Sequence, residues 1–246
     1  MPEFTELWPG GPLFAQAEHF RLGTDSVLLA DFINTNGARR GVDLGCASGA
    51  LTLLLLARTQ SLHMTGLEIV PEAAELAREN MRVNALSDRS EIVRGDIREH
   101  RALFKSGSFD LVAANPPYFP AGSGAVSPKE GRDAARSELC CSLDELCAAA
   151  AWLCRSGGRF CLVHRPERLS ELFSAMSAHG LEPKRLRPVC PRLGAAPSLV
   201  LAEGRRGARP GLKIEPELAL RGADGEESAE LREIYARARL GRQSRE

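Results

Sequence analysis

The chain is predicted to fold as a single α/β domain built on a mostly parallel sheet of seven strands with helices on both faces. Three observations predict it. Short apolar strand-like segments alternate with helix-like periodic segments along most of the 246 residues. A glycine-bearing turn at 45–49 joins one such strand to a helix. The segment 109–114 runs into Asn115-Pro116-Pro117-Tyr118, whose prolines cannot continue a ladder.

The segment 20–34 carries Leu22, Val27, Leu28, Leu29, Ala30, Phe32 and Ile33 and is expected to be a helix, with Thr24 or Asp25 as its N-cap. Strand 41–44, turn 45–49 and helix 51–57 follow. A second strand spans 63–69 and ends near Glu68. Pro71 suits a first helical turn, and Ala73, Ala74, Leu76, Ala77, Met81 and Val83 mark the apolar face behind it. Further strands are expected at 91–93, 109–114, 159–163, 186–189 and 199–202, with helices at 143–153 and 167–178 and a charged final helix at 226–242. The layout is an extension at 1–39 closing over the cofactor and substrate, a core at 40–203 and a charged extension at 204–246.

Composition excludes several classes. The charged fraction is 26%, 32 basic residues balance 32 acidic ones, and no apolar run is long enough to span a bilayer. With no leader-like N-terminus, a soluble cytoplasmic protein is expected. The 7 cysteines form no Cys-x-x-Cys pair and no cluster with histidine, so neither a disulfide framework nor a metal site is expected. Cys140, Cys147 and Cys154 are assigned to a packed helix face. Neutral net charge gives no global attraction to nucleic acid, so binding must come from a patch. The stretch 184–213, with Lys184, Arg185, Arg187, Arg192, Arg205, Arg206, Arg209 and Lys213 against only Glu182 and Glu203, is the candidate.

On a parallel sheet, ligands bind where strands end at their carboxyl side. That places Asp43 with Gly45 and Gly49, then Glu68, then Asp96 with Ile97, then Asn115 along one rim. Glycines at 45 and 49 let the backbone approach a ligand closely. Glu68 is positioned to accept both hydroxyls of a ribose. Asp43 places negative charge beside the ligand, which opposes a pyrophosphate and favours the amino group of a methionine moiety. Asp96 can accept from an adenine amine, and Ile97 can cover the ring. A sulfonium cofactor, S-adenosylmethionine, fits this set better than a dinucleotide.

The tetrapeptide supplies the chemistry. An amine on an aromatic ring, like an amide nitrogen, is a poor nucleophile because its lone pair is delocalised. If the Asn115 side-chain oxygen and the Pro116 carbonyl each accept one N–H, the nitrogen is drawn toward a tetrahedral shape with its lone pair aimed at the methyl group. Pro116 and Pro117 hold that carbonyl in place. Tyr118 offers a face on which a base stacks. No general base is assigned.

With these residues, the chain resembles class I amino-nitrogen methyltransferases, and more narrowly the bacterial tRNA(Val) adenine-N6 methyltransferase family. The resemblance extends to residues 20–30, to Glu79-Asn80 with Asn84, and to 135–138. It implies methylation of an adenosine beside the anticodon, a closing role for Phe20 and Asp25 over the methionine part of the cofactor, and RNA contact around Arg136. Residues 119–136 would form a lid, and a flipped base would be gripped through phosphates by Lys184, Arg185, Arg187, Arg205 and Arg206. The chain departs from the family pattern at Ala47, Ser137 and Glu227-Ser228. Three alternatives remain open at this point. They are glutamine-N5 methylation of a protein, opposed by the mere forty or so residues before Asp43; guanine-N2 methylation of ribosomal RNA; and a cofactor-retaining RNA-binding module without catalysis.

Overall fold

The structure, a computed structural model, describes residues 2–16, 22–116 and 141–237. A short hairpin of β1 (Thr5–Glu6) and β2 (Leu13–Phe14) precedes α1 (Thr24–Phe32). The alternating part comprises β3 (Arg40–Leu44), α2 (Ala50–Arg58), β4 (His63–Glu68), α3 (Pro71–Val83), β5 (Ser90–Arg94), the short α4 (His100–Leu103) and β6 (Phe109–Ala114). Then come α5 (Leu143–Leu153), β7 (Cys154–His164), α6 (Leu169–Ala178), β8 (Leu181–Arg192), β9 (Leu199–Arg206), β10 (Lys213–Ile214), β11 (Leu218–Arg221) and α7 (Ala229–Arg237).

The main sheet runs β5-β4-β3-β6-β7-β9-β8, with β10 and β11 both alongside β8. The expected seven strands are therefore present, and two short ones extend the β8 edge. All pairings except those of β9 are parallel. The chain builds outward from β3 to β5 and then returns to place β6 on the other side of β3. The β3/β6 junction is thus the point where strand order reverses, and doubly wound sheets bind their ligands outside the carboxyl ends of the strands at such a point.

Packing follows the strand period. In β7, Cys161 and Val163 join the cluster that holds α1 and α2, whereas Phe160 and Leu162 join the one that holds α5 and α6. Helix α2 has Leu51, Leu53, Leu54, Leu55 and Leu56 all buried, so it is enclosed on every side. Each such leucine contributes about 1.5–3 kcal/mol on burial. Helix α5 starts on a capping box, Ser142 with Glu145, as its sequence of cap and apolar run demands.

Several expectations are corrected. Helix α1 begins at Thr24, not 20, and its N-cap is Gly23 without a side-chain cap, in place of Thr24 or Asp25. Strand β8 is 12 residues long, far beyond the expected four. Cys147 lies within α5, but Cys154 is the C-cap of α5 and opens β7, so the cysteine spacing does not mark one helix face; Cys140 lies outside the described residues. The final helix starts at Ala229, and its expected extension to 242 passes Arg237 into positions outside the described residues. Trp8 meets Tyr235 edge to face, with centroids 5.5 Å apart, joining the hairpin to α7.

Candidate active site

The glycine turn is a set of left-handed residues braced by β4. Gly45, Ala47 and Gly49 have φ of +76°, +49° and +83°. The amides of Gly45 and Cys46 donate to the Leu67 carbonyl at 2.8 and 3.0 Å, and Gly49 N–H donates to the Cys46 carbonyl at 2.7 Å. A Cβ at Gly49 would come within 3.1 Å of the Ala77 Cβ, so glycine there permits close packing of α2 on α3. A Cβ at Gly45 would meet only Ile97 Cδ1, at 3.9 Å. The turn is therefore open above Gly45 and flanked by Ile97, which suits the close approach of a nucleoside-bearing ligand.

Glu68 is 6% exposed and its two oxygens accept the amides of Ala47 and Val70, each at 2.8 Å. Each carboxylate oxygen has a further lone pair, so ribose hydroxyls and the turn can share it. Asp43 is buried at 1% exposure beneath the turn and accepts the Thr52 hydroxyl at 2.9 Å. Burial pushes its carboxyl up to about 7, against the lowering effect of the Thr52 bonds and with a smaller upward push from Glu68. Its Oδ2 is thus engaged by the start of α2, and burial favours its neutral form. Asp96 caps the turn that follows β5, accepting the Arg98 amide at 2.8 Å, and the Arg98 guanidinium holds its carboxyl below the usual range.

Asn115 follows β6 at the strand-order reversal. Asp43 of β3 pairs with Ala113 of β6, so the turn after β3 and Asn115 leave the same end of two neighbouring parallel strands. The Asn115 Nδ2 donates to Ser26 Oγ at 2.8 Å. Asp25 folds its carboxylate back over Gly23 and accepts the Ser26 amide at 2.8 Å. Pro116 follows Asn115 within the described residues; Pro117, Tyr118, Phe20, Arg136, Ser137 and the 119–136 segment lie outside them.

Two residues that bond to the candidate site carry no assigned role in the sequence, where they stand only within the stretches of family resemblance. Ser26 is one. Asn80 is the other: fully buried, it accepts the Ala15 amide at 2.8 Å and donates to the carbonyls of Ala15 and Ser48 at 3.0 and 2.9 Å. One turn later Asn84 grips Leu13 by the same paired bonds. Segment 13–15 is thereby tied to the glycine turn.

The basic stretch is distributed differently from its sequence appearance. Arg185 pairs with Glu203 at 2.7 Å and Glu215 at 2.9 Å and lies over the Phe32 ring. Arg187 pairs with Glu230 at 2.5 Å, Arg205 with Glu203 at 3.3 Å, and Lys184 donates to the Arg209 carbonyl. The fold thus adds Glu215 and Glu230 to the opposing charges. Because β9 is antiparallel and Arg205 pairs with Arg159, Arg205 and Arg206 stand toward the strand ends away from Asn115. Arg165, directly after β7, and Arg192, the last residue of β8, are exposed on the Asn115 side. Among the described residues no cluster of His, Cys, Asp or Glu is arranged to hold a metal, and no helix is long and apolar enough to cross a membrane.

Residues 14–177 match the family model described as the methyltransferase small domain. A tRNA1(Val) (adenine(37)-N6)-methyltransferase of Tolumonas auensis is 32% identical over 85% of this chain and 86% of its own. The protein of the same name from Porphyromonas gingivalis is 33% identical over 75% and 74%, and that from Cronobacter sakazakii 32% over 83% and 82%. Among solved structures, a predicted O-methyltransferase from Agrobacterium tumefaciens superposes with a TM-score of 0.72 at 22% identity, covering 88% of this chain and 98% of that one. A geranyl diphosphate C-methyltransferase from Streptomyces coelicolor, solved with S-adenosyl-L-homocysteine, gives 0.56 at 15% identity over 74% and 76%. These likenesses confirm the class I methyltransferase fold, and the sequence relationships go further: the chain belongs to the methyltransferase small domain family and, within it, to the tRNA1(Val) (adenine(37)-N6)-methyltransferase family.

Proposed function

We propose that this chain transfers a methyl group from S-adenosylmethionine to the exocyclic amine of adenine in tRNA, at the anticodon-loop adenosine next to the anticodon, in the cytoplasm. The observation that carries the reading is Asn115-Pro116 at the carboxyl end of β6, beside the glycine turn, in a chain about one third identical to adenine-N6 methyltransferases over most of its length. When bound, the cofactor supplies an electrophilic methyl on a sulfonium.

The chain's own residues do the rest. The backbone from Gly45 to Gly49 with Glu68 holds the nucleoside and methionine parts, and Ile97 walls the adenine side. Asp25 and Phe20 close over the methionine end. The Asn115 side-chain oxygen and the Pro116 carbonyl each accept one N–H of the target amine, turning its lone pair toward the methyl group; Pro117 fixes that geometry and Tyr118 stacks on the base. The proton departs after transfer, so no matched base is required.

An unpaired loop keeps the cost of flipping the base low. Phosphates flanking it meet Arg136 and the basic residues of the β7/β8 side. Strand polarity favours Arg165 and Arg192 for that role, with Arg187 nearer the Asn115 level than Lys184, Arg185, Arg205 or Arg206.

The test is transfer of labelled methyl to total tRNA, ribosomal RNA and a protein lysate by wild type and Asn115→Ala. N6-methyladenosine in tRNA, abolished by the substitution, is expected. Label on protein glutamine or on ribosomal guanine would overturn the substrate assignment, and cofactor binding without transfer would overturn catalysis.

A further inference from the structure

The Asn115 amide is held by a residue from the opposite end of the site. Ser26, third residue of α1, is 8% exposed, and its hydroxyl accepts from Asn115 Nδ2 at 2.8 Å across 89 positions of sequence. We propose that Ser26 is a positioning residue for Asn115, selecting the amide orientation in which Oδ1 faces the target amine. The inference rests on Asn115 being the acceptor for that amine.

An asparagine amide has two ends of nearly equal shape and opposite hydrogen-bonding sense. Turned one way, it offers Oδ1 to an N–H of the substrate. Turned the other, it offers Nδ2, and two donors face each other: one of the two bonds that pyramidalise the nitrogen is lost. Something must choose between these orientations before the substrate arrives. With Nδ2 against the Ser26 hydroxyl, as it stands here, Oδ1 lies at the other end of the amide from α1.

The backbone that carries the hydroxyl is also well fixed. The Ser26 amide is bonded to the Gly23 carbonyl at 3.2 Å and to Asp25 Oδ1 at 2.8 Å. Immediately after it, Val27, Leu28 and Leu29 are locked into the core cluster on the α1 side of the sheet. A side chain on such a packed helix end holds its partner more tightly than a loop residue does. The first turn of α1 is therefore part of the catalytic geometry, through Asn115.

Three measurements test this together. With asparagine side chains 15N-labelled, the Asn115 amide resonance, identified by its loss in Asn115→Asp, is expected to shift in Ser26→Ala. In steady-state transfer to tRNA, Ser26→Ala should lower kcat about tenfold, the scale of one lost hydrogen bond, with both KM values unchanged, and Ser26→Thr should restore the rate. In the Asn115→Asp background a carboxylate presents an acceptor in either orientation, so Ser26→Ala should then cost less than about twofold, the signature of two coupled residues. An unchanged amide resonance, or an equal loss in both backgrounds, overturns the proposal. If wild type methylates no adenine, the proposed function fails instead, and the resonance still decides whether Ser26 holds Asn115.

Discussion

The Glu68 carboxylate accepts the amide of Ala47 at 2.8 Å, while Ala47 itself stands in the left-handed region at φ +49°. The other Glu68 oxygen accepts Val70 at 2.8 Å, so one side chain braces the turns after both β3 and β4. Replacing Glu68 by glutamine converts one acceptor into a donor that faces an N–H. Glu68→Gln is expected to lower stability by about 1–3 kcal/mol and to weaken S-adenosylmethionine binding, read by chemical denaturation and by calorimetric titration. Unchanged values in both would remove Glu68 from the role given to it.

Ala47 is in a conformation that costs an alanine roughly 1–2 kcal/mol, partly offset in any glycine replacement by the greater freedom of the unfolded chain. Ala47→Gly should therefore raise stability by about 0.5–1 kcal/mol. A lower denaturation midpoint would show that the alanine methyl makes a compensating contact.

Asp43 produces an unusual pH dependence. Its carboxyl is pushed up to about 7 by burial, whereas it titrates at about 3.9 in an unfolded chain. Between those values the native state keeps a proton that the unfolded state has lost. Its stabilising contribution is accordingly full below about 3.9 and is lost as pH rises toward about 7. Urea midpoints compared between wild type and Asp43→Asn should diverge across this window, with the variant flatter. Parallel profiles would mean that Asp43 ionises freely in the fold.

Asn80 bonds three backbone groups from full burial. Asn80→Ala strands those groups without water and should cost about 2–4 kcal/mol, measured as a drop in Tm. A shift no larger than that of a surface alanine substitution would show the N-terminal hairpin to be held elsewhere.

Arg192 and Arg206 lie toward opposite ends of the neighbouring strands β8 and β9. Arg192→Ala should weaken tRNA binding and reduce the slope of log affinity against log salt by about one; Arg206→Ala should change neither. The reverse result would place the RNA at the strand ends away from Asn115.

Much of the site was legible because its residues sit at strand ends, where a short apolar run meets glycine, acid or proline. The turn 45–49, Glu68, Asp96 and Asn115 were all located in this way. The length of β8 was not, because Pro183, Pro188 and Pro191 and its charged residues break the alternation; an edge covered only by the short β10 and β11 tolerates prolines that a central strand would not. The hairpin of two-residue strands carries no period to read, and it is fixed by Asn80 and Asn84, about seventy positions away.

The sequence by itself determined the fold class and which residues stand at the carboxyl ends of the strands, since both depend on local pattern and on strand polarity. Only the tertiary structure decided which hydroxyl Asn115 bonds to, that Asp43 is buried beside Thr52, and that Arg185 and Arg187 are matched by Glu215 and Glu230 from 30 and 43 positions away. Burial and partnership are properties of residues distant in the chain, and strand order is what brings them together.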